Sequence, residues 1–311
     1  MKKCINKVTL EGYVYQHTLQ VKTVANQQSD NFGKEFIQGT IDIVVDNEGL
    51  NVVPVRYTYV TAETKNGGQN RSYSVLKSII DNGKTWLDCG AEATKVKCET
   101  SFALNDFYTQ EGELVSSTVQ EGGFISIVNT FGPEENRNKF EADLLITNVT
   151  RVEADEEKGT PEFARVRAAA FNFRNQILPM NLIIKNPKGI DYAEGLDASP
   201  SNPVFVKSFG KVNHMTTTVT RTEETAFGEP VVNTFERKVK EWVITGISPT
   251  PYDFGDESVM TVEDLQKALQ DREVLLATEK KRAEEYRAQR ASQSAPAAAP
   301  TPKATTATFN F

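Results

Sequence analysis

The 311-residue sequence lacks the features that mark a membrane-spanning or secreted protein. No apolar run reaches the roughly 18 residues that a membrane-spanning helix needs. The N-terminal stretch MKKCINKVTL has lysines but no apolar core, so no secretion signal is predicted. Three cysteines, Cys4, Cys89 and Cys98, have no metal-ligand spacing and are expected to be reduced thiols. These absences predict a cytoplasmic protein that does not contact a membrane.

The motifs of catalysis are also missing. The two histidines, His17 and His214, do not stand at metal-ligand spacing. The FGKE stretch at 32–35 lacks the first glycine and the Ser/Thr of a phosphate-binding loop, and no G-x-S-x-G occurs. We therefore expect a protein that is not an enzyme and that needs neither a metal nor a cofactor.

Short β-type segments fill most of the chain instead. Valine, threonine and isoleucine recur in runs that Gly, Asn and Asp separate. The predicted order is a strand at 5–18, a hairpin at 36–62 with a turn at Asn47–Gly49, a helix at 70–83 and a hairpin at 94–129. This is the element order of an OB-fold, a five-stranded Greek-key barrel with a helix between its third and fourth strands.

The same order then recurs with little residue identity. The second set comprises a strand at 140–152, a hairpin at 163–185, a shorter and looser segment at 186–202 in place of the helix, and closing strands at 203–215 and 231–247. The motif VNTF occurs in both sets, at 128–131 and 232–235. The pattern leaves open whether the strand at 139–152 closes the first barrel or opens the second.

The predicted fold is therefore mainly β, with two tandem OB-fold-like five-stranded barrels followed by a C-terminal α-helix and a disordered tail. The predicted domains are a first OB-fold domain at 1–135, a second at 136–250, a linker with a charged amphipathic helix at 251–290, and an Ala/Pro/Ser-rich tail at 291–311. Thr261 is the predicted N-cap of the helix, which is expected to dock or to self-associate.

Two strands of the predicted second domain combine cations with aromatic rings. Strand side chains alternate between faces, so the first strand of the 163–185 hairpin places Arg165, Arg167, Phe171 and Phe173 opposite a face of small apolar residues. The strand at 203–212 likewise places Phe205, Lys207, Phe209 and Lys211 on one face. Cations for phosphates beside flat rings for bases are what single-stranded nucleic acid needs.

The alternative is that these phenylalanines form the core and that the valines and alanines are exposed. Lysines on the same face argue against it, since lysine is almost never fully buried. The net charge of −7 would argue against nucleic acid, but its distribution is uneven. Residues 163–222 contain three acidic residues and eight basic ones, namely Arg165, Arg167, Arg174, Lys185, Lys188, Lys207, Lys211 and Arg221.

The predicted first domain gives a weaker signal. Tyr13 and Tyr15 share the polar face of the first strand, where binding and packing both remain open. Arg56 points away from the core face and is a candidate phosphate contact, whereas Tyr57 and Tyr59 are predicted to lie in the core. Trp86 could stack on a ligand or cover the bottom of the barrel.

The opening NKVTLEGYV, residues 6–14, resembles the first strand of bacterial and phage single-stranded-DNA-binding proteins. The OB-type element order and the Ala/Pro/Ser/Gln tail with a terminal phenylalanine are similar too. Two departures are the second barrel and the absence of an acidic run before the final Phe. The tandem arrangement looks more like a phage or mobile-element version, which would act in the host cytoplasm.

The resemblance implies non-enzymatic, largely sequence-independent binding of single-stranded DNA in replication, recombination or repair, with RNA as an alternative ligand. It further implies that replication or recombination proteins contact the C-terminal helix or tail, with Phe309 and Phe311 as candidate contacts. The main rival hypothesis is a β-rich structural or assembly protein, such as a virion component, that uses the barrels for protein contacts and forms an oligomer through 261–289. A third hypothesis is an accessory or adaptor of a nucleic-acid-processing enzyme, in which the barrels bind DNA and the helix delivers a partner.

Overall fold

A computed structural model describes residues 3–64, 66–155, 160–223, 227, 230–253 and 260–294. These residues are mainly β, as predicted, and their strands form one 11-stranded sheet. The strands are β1 (Asn6–His17), β2 (Gln20–Thr23), β3 (Glu35–Val44), β4 (Val52–Thr61), β5 (Lys95–Tyr108), β6 (Leu114–Ile127), β7 (Asn138–Val152), β8 (Phe163–Phe171), β9 (Ile177–Ile184), β10 (Val204–Glu223) and β11 (Val231–Ile247). The helices are α1 (Arg71–Asn82), α2 (Trp86–Cys89), α3 (Pro187–Glu194) and α4 (Val262–Ser294).

The strand pairings close on themselves twice within this sheet. In the set that we call the first ring, β1 pairs with β5, β5 with β6, β6 with β4 in parallel, β4 with β3, and β3 with β1 again. In the second ring, β7 pairs with β8, β8 with β9, β9 with β11 in parallel, β11 with β10, and β10 with β7. Closing the pairings satisfies backbone groups that a sheet edge would leave free.

The strand β7 joins the two rings and answers the question that the sequence left open. It belongs to the second ring, yet it also pairs with β1 of the first ring from Asn6↔Ala142 to Leu10↔Asn138. Its length of 15 residues lets different parts of it pair with β1, β8 and β10. A further link comes from Asn51, whose side-chain oxygen accepts a hydrogen bond from the His214 backbone N–H at 2.9 Å.

The main core runs through both rings and follows the predicted alternation. Val8, Leu10 and Val14 point inward from β1, and Ala164, Val166, Ala168 and Ala170 point inward from β8. Burying a side chain of the size of Leu10 contributes about 1.5–3 kcal/mol. The rings of Phe102 and Phe140 meet edge to face at 5.3 Å between centroids, so the apolar interior is continuous where the rings join.

Asparagine residues cap the N-termini of two helices, α1 and α3. Asn70 caps α1, as its side-chain oxygen accepts a hydrogen bond from the Ser72 N–H, and α1 buries Leu76 and Ile79. The segment predicted to be loose contains an eight-residue helix, α3, because Asn186 caps it and Pro187 suits its first turn. No described helix has both the length and the apolar composition to cross a membrane.

The C-terminal helix α4 begins as predicted. Thr261 Oγ1 accepts a hydrogen bond from the Asp264 N–H at 3.1 Å, and Asp264 Oδ2 accepts one from the Thr261 N–H at 3.2 Å. Its first turns pack Leu265 and Ala268 against the outer side of the second ring. Farther along, Tyr108 donates a hydrogen bond to the Leu276 carbonyl at 3.2 Å. The helix therefore reaches the projecting part of the β5–β6 hairpin, residues 103–119, which we call the arm.

Candidate nucleic-acid interface

The outer face of β8 carries the two predicted arginines. Arg165 and Arg167 are exposed, while the intervening side chains enter the main core. The Arg165 guanidinium lies 5.6 Å from the ring centre of Phe163. Neither arginine forms an ion pair within the described residues. Both can therefore contact a phosphate without losing a charged partner.

The predicted stacking role of Phe171 and Phe205 does not agree with their burial. Their exposed fractions are 0% and 1%, and their rings meet edge to face at 6.2 Å. They lie on the outer face as the alternation predicts, but the C-terminal segment covers that part of the face. We call this set the covered cluster: Cys4, Leu145, Ala169, Phe171, Ile177, Phe205, Met260 and Ala268.

The residue Tyr252 holds this cover in place. Its backbone N–H donates to the Phe205 carbonyl at 2.7 Å, and its hydroxyl donates to Asp143 Oδ1 at 2.9 Å. Burial and this hydrogen bond raise the pKa of Tyr252 to about 12. The sequence pattern of β8 and β10 contains no information about this contact, because the covering residues are distant in the chain.

Phe173 is exposed in the turn that joins β8 to β9. Its exposed fraction is 76%, and the Arg174 guanidinium lies 5.1 Å from its ring centre. The turn is compact, since Asn172 Oδ1 accepts hydrogen bonds from the N–H groups of Arg174 and Gln176. An aromatic ring and a cation thus project together from the end of the hairpin.

On β10, Phe209 and Lys207 form a second exposed pair. Phe209 is 41% exposed, and Lys207 Nζ lies 5.4 Å from its ring centre. Lys207 also donates to Glu141 Oε1 at 2.5 Å, a hydrogen bond that raises the pKa of the lysine. Lys207 therefore carries its charge at neutral pH, next to an accessible ring.

The pairing of β1 with β7 brings further lysines to Phe209. An open cleft of about 770 Å³, which we call the junction trough, crosses β5, β1, β7 and β10. The residues that line it include the lysines Lys7, Lys97, Lys139 and Lys211, the glutamates Glu11, Glu135 and Glu141, and Phe209. Lys7, Lys97 and Lys139 could not be identified as site residues from the sequence pattern, because only the pairing of the two rings places them beside Phe209.

Ion pairs neutralise half of these lysines. Lys97 pairs with Glu11 at 2.5 Å, and Lys7 pairs with Glu99 at 2.7 Å. Burial opposes ionisation of Glu11, but hydrogen bonds from Lys97 and Gly132 and the nearby positive charges outweigh it and lower the pKa of that carboxyl. Lys139 and Lys211 form no ion pair in the part of the chain that the structure describes. These two lysines are the available phosphate contacts of the trough.

In the first ring, Tyr13 is a packing residue. Its ring centre lies 4.9 Å from that of Trp86 and 4.9 Å from that of Phe131. Lys95 Nζ lies over both Tyr13 and Phe131, at 5.9 and 5.6 Å. Trp86 thus packs in an aromatic cluster against the first ring. Tyr15 is half-buried on the same strand.

The charge of Arg56 is already paired. Its Nε and Nη2 donate to Glu121 Oε2 at 3.2 and 3.1 Å, and its Nη1 donates to Asn105 Oδ1 at 2.8 Å. A phosphate at Arg56 would compete with these partners. The predicted phosphate role of Arg56 is therefore weaker than that of Arg165 or Arg167.

Tyr59 was predicted to lie in the core with Tyr57, and for Tyr59 this is wrong. Tyr57 is buried, whereas Tyr59 is 47% exposed and contacts the Phe36 ring at 4.7 Å. The pairings Gly39↔Tyr57 and Ile37↔Val60 leave two β4 residues opposite one β3 residue. This β-bulge breaks the alternation and turns Tyr59 outward. Gly39 within a strand pattern is the sequence signal for such a bulge.

Phe309 and Phe311, the predicted partner contacts, lie outside the described residues. Among the described residues, no group of His, Cys, Asp or Glu side chains is arranged to hold a metal ion.

Comparison with known proteins gives a family match. The model of the family described as YorF matches residues 5–282. No curated protein matches the sequence.

Among solved structures, the chain is similar to the single-stranded DNA binding protein from Thermus aquaticus. The wild-type protein gives a TM-score of 0.45 at 12% identity, over 81% of this chain and 96% of that one. A deletion mutant of it gives 0.46 at 12% identity, over 83% and 100% of the two chains. At this identity and these TM-scores, we infer neither function nor partner from the likeness.

Proposed function

The chain belongs to the YorF family, and we propose that it binds single-stranded DNA without catalysing a reaction. The observation that carries the proposal is the junction trough, where the exposed Phe209 ring lies beside Lys207 and near Lys139 and Lys211, two lysines without an ion pair to any described residue. Lysines supply charge for phosphates, and the ring supplies a face on which a base can stack.

We also propose that both rings are OB-type barrels. Each ring has five strands in the pairing order 1-2-3-5-4-1, with a helix between its third and fourth strands. In OB-folds the second and third strands form the face that binds oligonucleotides. Those strands are β3 and β4 in the first ring, with Phe36 and Tyr59, and β8 and β9 in the second, with Arg165 and Arg167.

Single strands fit the exposed aromatic rings of this surface better than duplex DNA. Phe173, Phe209 and Tyr59 present ring faces, and a base can stack on them only when it is not already stacked within a double helix. Stacking is worth about 1–3 kcal/mol per base and is available to every base, so the proposed binding is largely independent of sequence. Such binding suits replication, recombination or repair.

A titration of fluorescently labelled oligo-dT with the full-length protein tests the proposal. We expect saturable binding without added metal or nucleotide, weaker binding to a duplex of the same length, and affinity that falls as salt rises. Absence of binding, or equal affinity at low and high salt, would contradict the proposal.

A structural or assembly role is the second candidate function. The arm exposes three apolar side chains, Phe107, Leu114 and Val115, and exposed apolar groups of this kind occur at protein contacts. Light scattering on the same sample separates the two functions. A defined oligomer that binds no oligonucleotide would favour assembly.

A further inference from the structure

A second cleft lies at the opposite end of β5 from the junction trough, between the tip of the arm and the distal part of α4. It has a volume of about 610 Å³, within the range of small-ligand sites. Its lining residues are Tyr108, Thr109, Gln110, Ala283, Tyr286, Arg287 and Arg290. The described lining residues thus include two tyrosines and two arginines but no carboxylate.

The helical repeat explains why α4 presents these residues together. Positions 283, 286, 287 and 290 have the spacing i, i+3, i+4 and i+7, which forms one face of a helix. Ala283 is small and leaves space between the helix and the arm. On the other side, Tyr108 is fixed by its hydrogen bond to the Leu276 carbonyl at 3.2 Å. The cleft therefore lies between the tip of the arm and one face of α4.

The polar groups of the cleft are incompletely satisfied. Arg287 Nη1 donates to the Gln110 carbonyl at 3.4 Å, but its Nη2 is buried and has no hydrogen-bond partner among the described residues. Buried donors are normally paired, so this donor is unused in the structure, and an acceptor in the cleft would reach it only after the Arg287 side chain moves. Arg290 forms no ion pair within the described residues, and Tyr286 is largely exposed. Packing within the protein therefore does not explain why Tyr286 and Arg290 occupy these positions.

We propose that this cleft binds one nucleotide of a single strand, with the base against Tyr286 and the phosphate at Arg287 and Arg290. Arginine forms charge-assisted hydrogen bonds with phosphate, and tyrosine stacks on bases. That this nucleotide belongs to a DNA strand rests on the proposed function. α4 then serves as part of the nucleic-acid site in addition to its docking on the rings.

One nearby carboxylate opposes a phosphate in the cleft. Glu111, at the tip of the arm, has a lowered pKa because it accepts hydrogen bonds from its own backbone N–H and from Thr109, with the Arg287 charge contributing less. Glu111 is fully exposed to solvent and does not line the cleft. Its charge is screened by water and salt, so the two arginines determine the sign of the site.

Photo-crosslinking with an oligo-dT that contains iododeoxyuridine tests the placement directly. We expect peptide mapping of the full-length protein to find crosslinks at Tyr286 or Tyr108. The variant Tyr286→Ala/Arg290→Ala should bind oligo-dT about tenfold more weakly or worse, the loss of roughly one stacked base and one phosphate contact. Both positions are exposed on a helix and alanine is a good helix former, so the fold should be retained.

Lys281→Ala is the matched control. At 100° per residue, Lys281 lies on the side of the helix opposite Arg290 and does not line the cleft. Removing its charge should leave the affinity within about twofold of wild type. Wild-type affinity in the double variant, or an equal loss in Lys281→Ala, would overturn the cleft proposal while leaving oligo-dT binding intact.

If the wild-type protein binds no oligo-dT, the proposed function fails and the cleft is tested alone with thymidine monophosphate. Calorimetric binding that disappears in Tyr286→Ala/Arg290→Ala would support a nucleotide site. Absence of binding would overturn it.

Discussion

Arg272 of α4 and Asp106 of the arm form an ion pair, with Nη1 3.1 Å from Oδ2. Both side chains are largely shielded from solvent, at 16% and 9% exposed. The same helix packs Leu265 and Ala268 on the second ring. The pair therefore fixes a helix that is docked on the second ring to a hairpin of the first.

Removing one member of this pair should destabilise the protein. We expect Arg272→Ala to lower the free energy of unfolding by about 2–3 kcal/mol, because it leaves the shielded Asp106 carboxylate without its partner. Urea unfolding of Arg272→Ala, Asp106→Ala and the double variant measures the coupling. A coupling energy below about 0.5 kcal/mol would show that the two side chains act independently.

Phe205 and Phe209 lie on the same face of β10 but should respond differently to truncation. Phe205→Ala should cost about 3–5 kcal/mol of stability, because it leaves a cavity in the covered cluster. Phe209→Ala should change stability little, since its ring is 41% exposed, but it should weaken oligo-dT binding by about 1–3 kcal/mol. Thermal unfolding and fluorescence anisotropy measure the two effects. Equal effects of both variants on affinity, after correction for unfolded protein, would contradict this assignment.

The two trough lysines that have no ion pair within the described part of the chain should contribute to the salt dependence of binding. We expect Lys139→Ala and Lys211→Ala each to reduce the slope of log affinity against log salt by about 0.7, the value for one phosphate on a single strand. The control is Lys77→Ala, which removes a lysine that is paired with Asp81 on α1. An unchanged slope in both trough variants would exclude phosphate contacts there.

Protonation of His214 should lower the stability of the protein at acidic pH. Burial, with a smaller contribution from the Lys240 charge, lowers the pKa of His214 to about 4. In the unfolded chain, His214 titrates near pH 6.5. The free energy of unfolding is therefore unaffected by His214 above that pH, and it decreases as pH falls toward 4 because the unfolded chain binds the proton more readily. The loss should be about 2–3 kcal/mol by pH 4.5.

Urea unfolding of the wild type and His214→Gln at pH 7.5 and pH 4.5 measures this loss. The glutamine does not titrate, so the variant should lose about 2–3 kcal/mol less than wild type between the two pH values. Parallel pH dependence of wild type and variant would show that His214 titrates normally in the fold.

The element order and the inward faces of the strands could be predicted because they depend on local pattern. The alternation in β1, β8 and β10 placed the core residues correctly, and the capping residue Thr261 located the start of α4. Tyr59 was misplaced because a bulge in β4, opposite the β3 segment 37–39, shifts the alternation by one residue. A bulge depends on how two strands pair, which a single strand's pattern does not contain.

The candidate site was harder to predict from the sequence, because contacts between distant parts of the chain bring its residues together. Lys7, Lys97 and Lys139 are ordinary polar positions of their strands, and they meet Phe209 only because β1 pairs with β7. Tyr286 and Arg290 face the arm because α4 docks on both rings. None of these neighbours is close in the chain.

For β8 and β10, the sequence alone determined which side chains point away from the main core, because strand alternation is a property of successive residues. It could not determine which of those side chains remain accessible. Phe205 and Phe209 both point outward from β10, but Tyr252, Met260 and Ala268 cover only the first. Exposure is decided by what packs on a face, and here the covering residues come from the C-terminal segment through tertiary contacts.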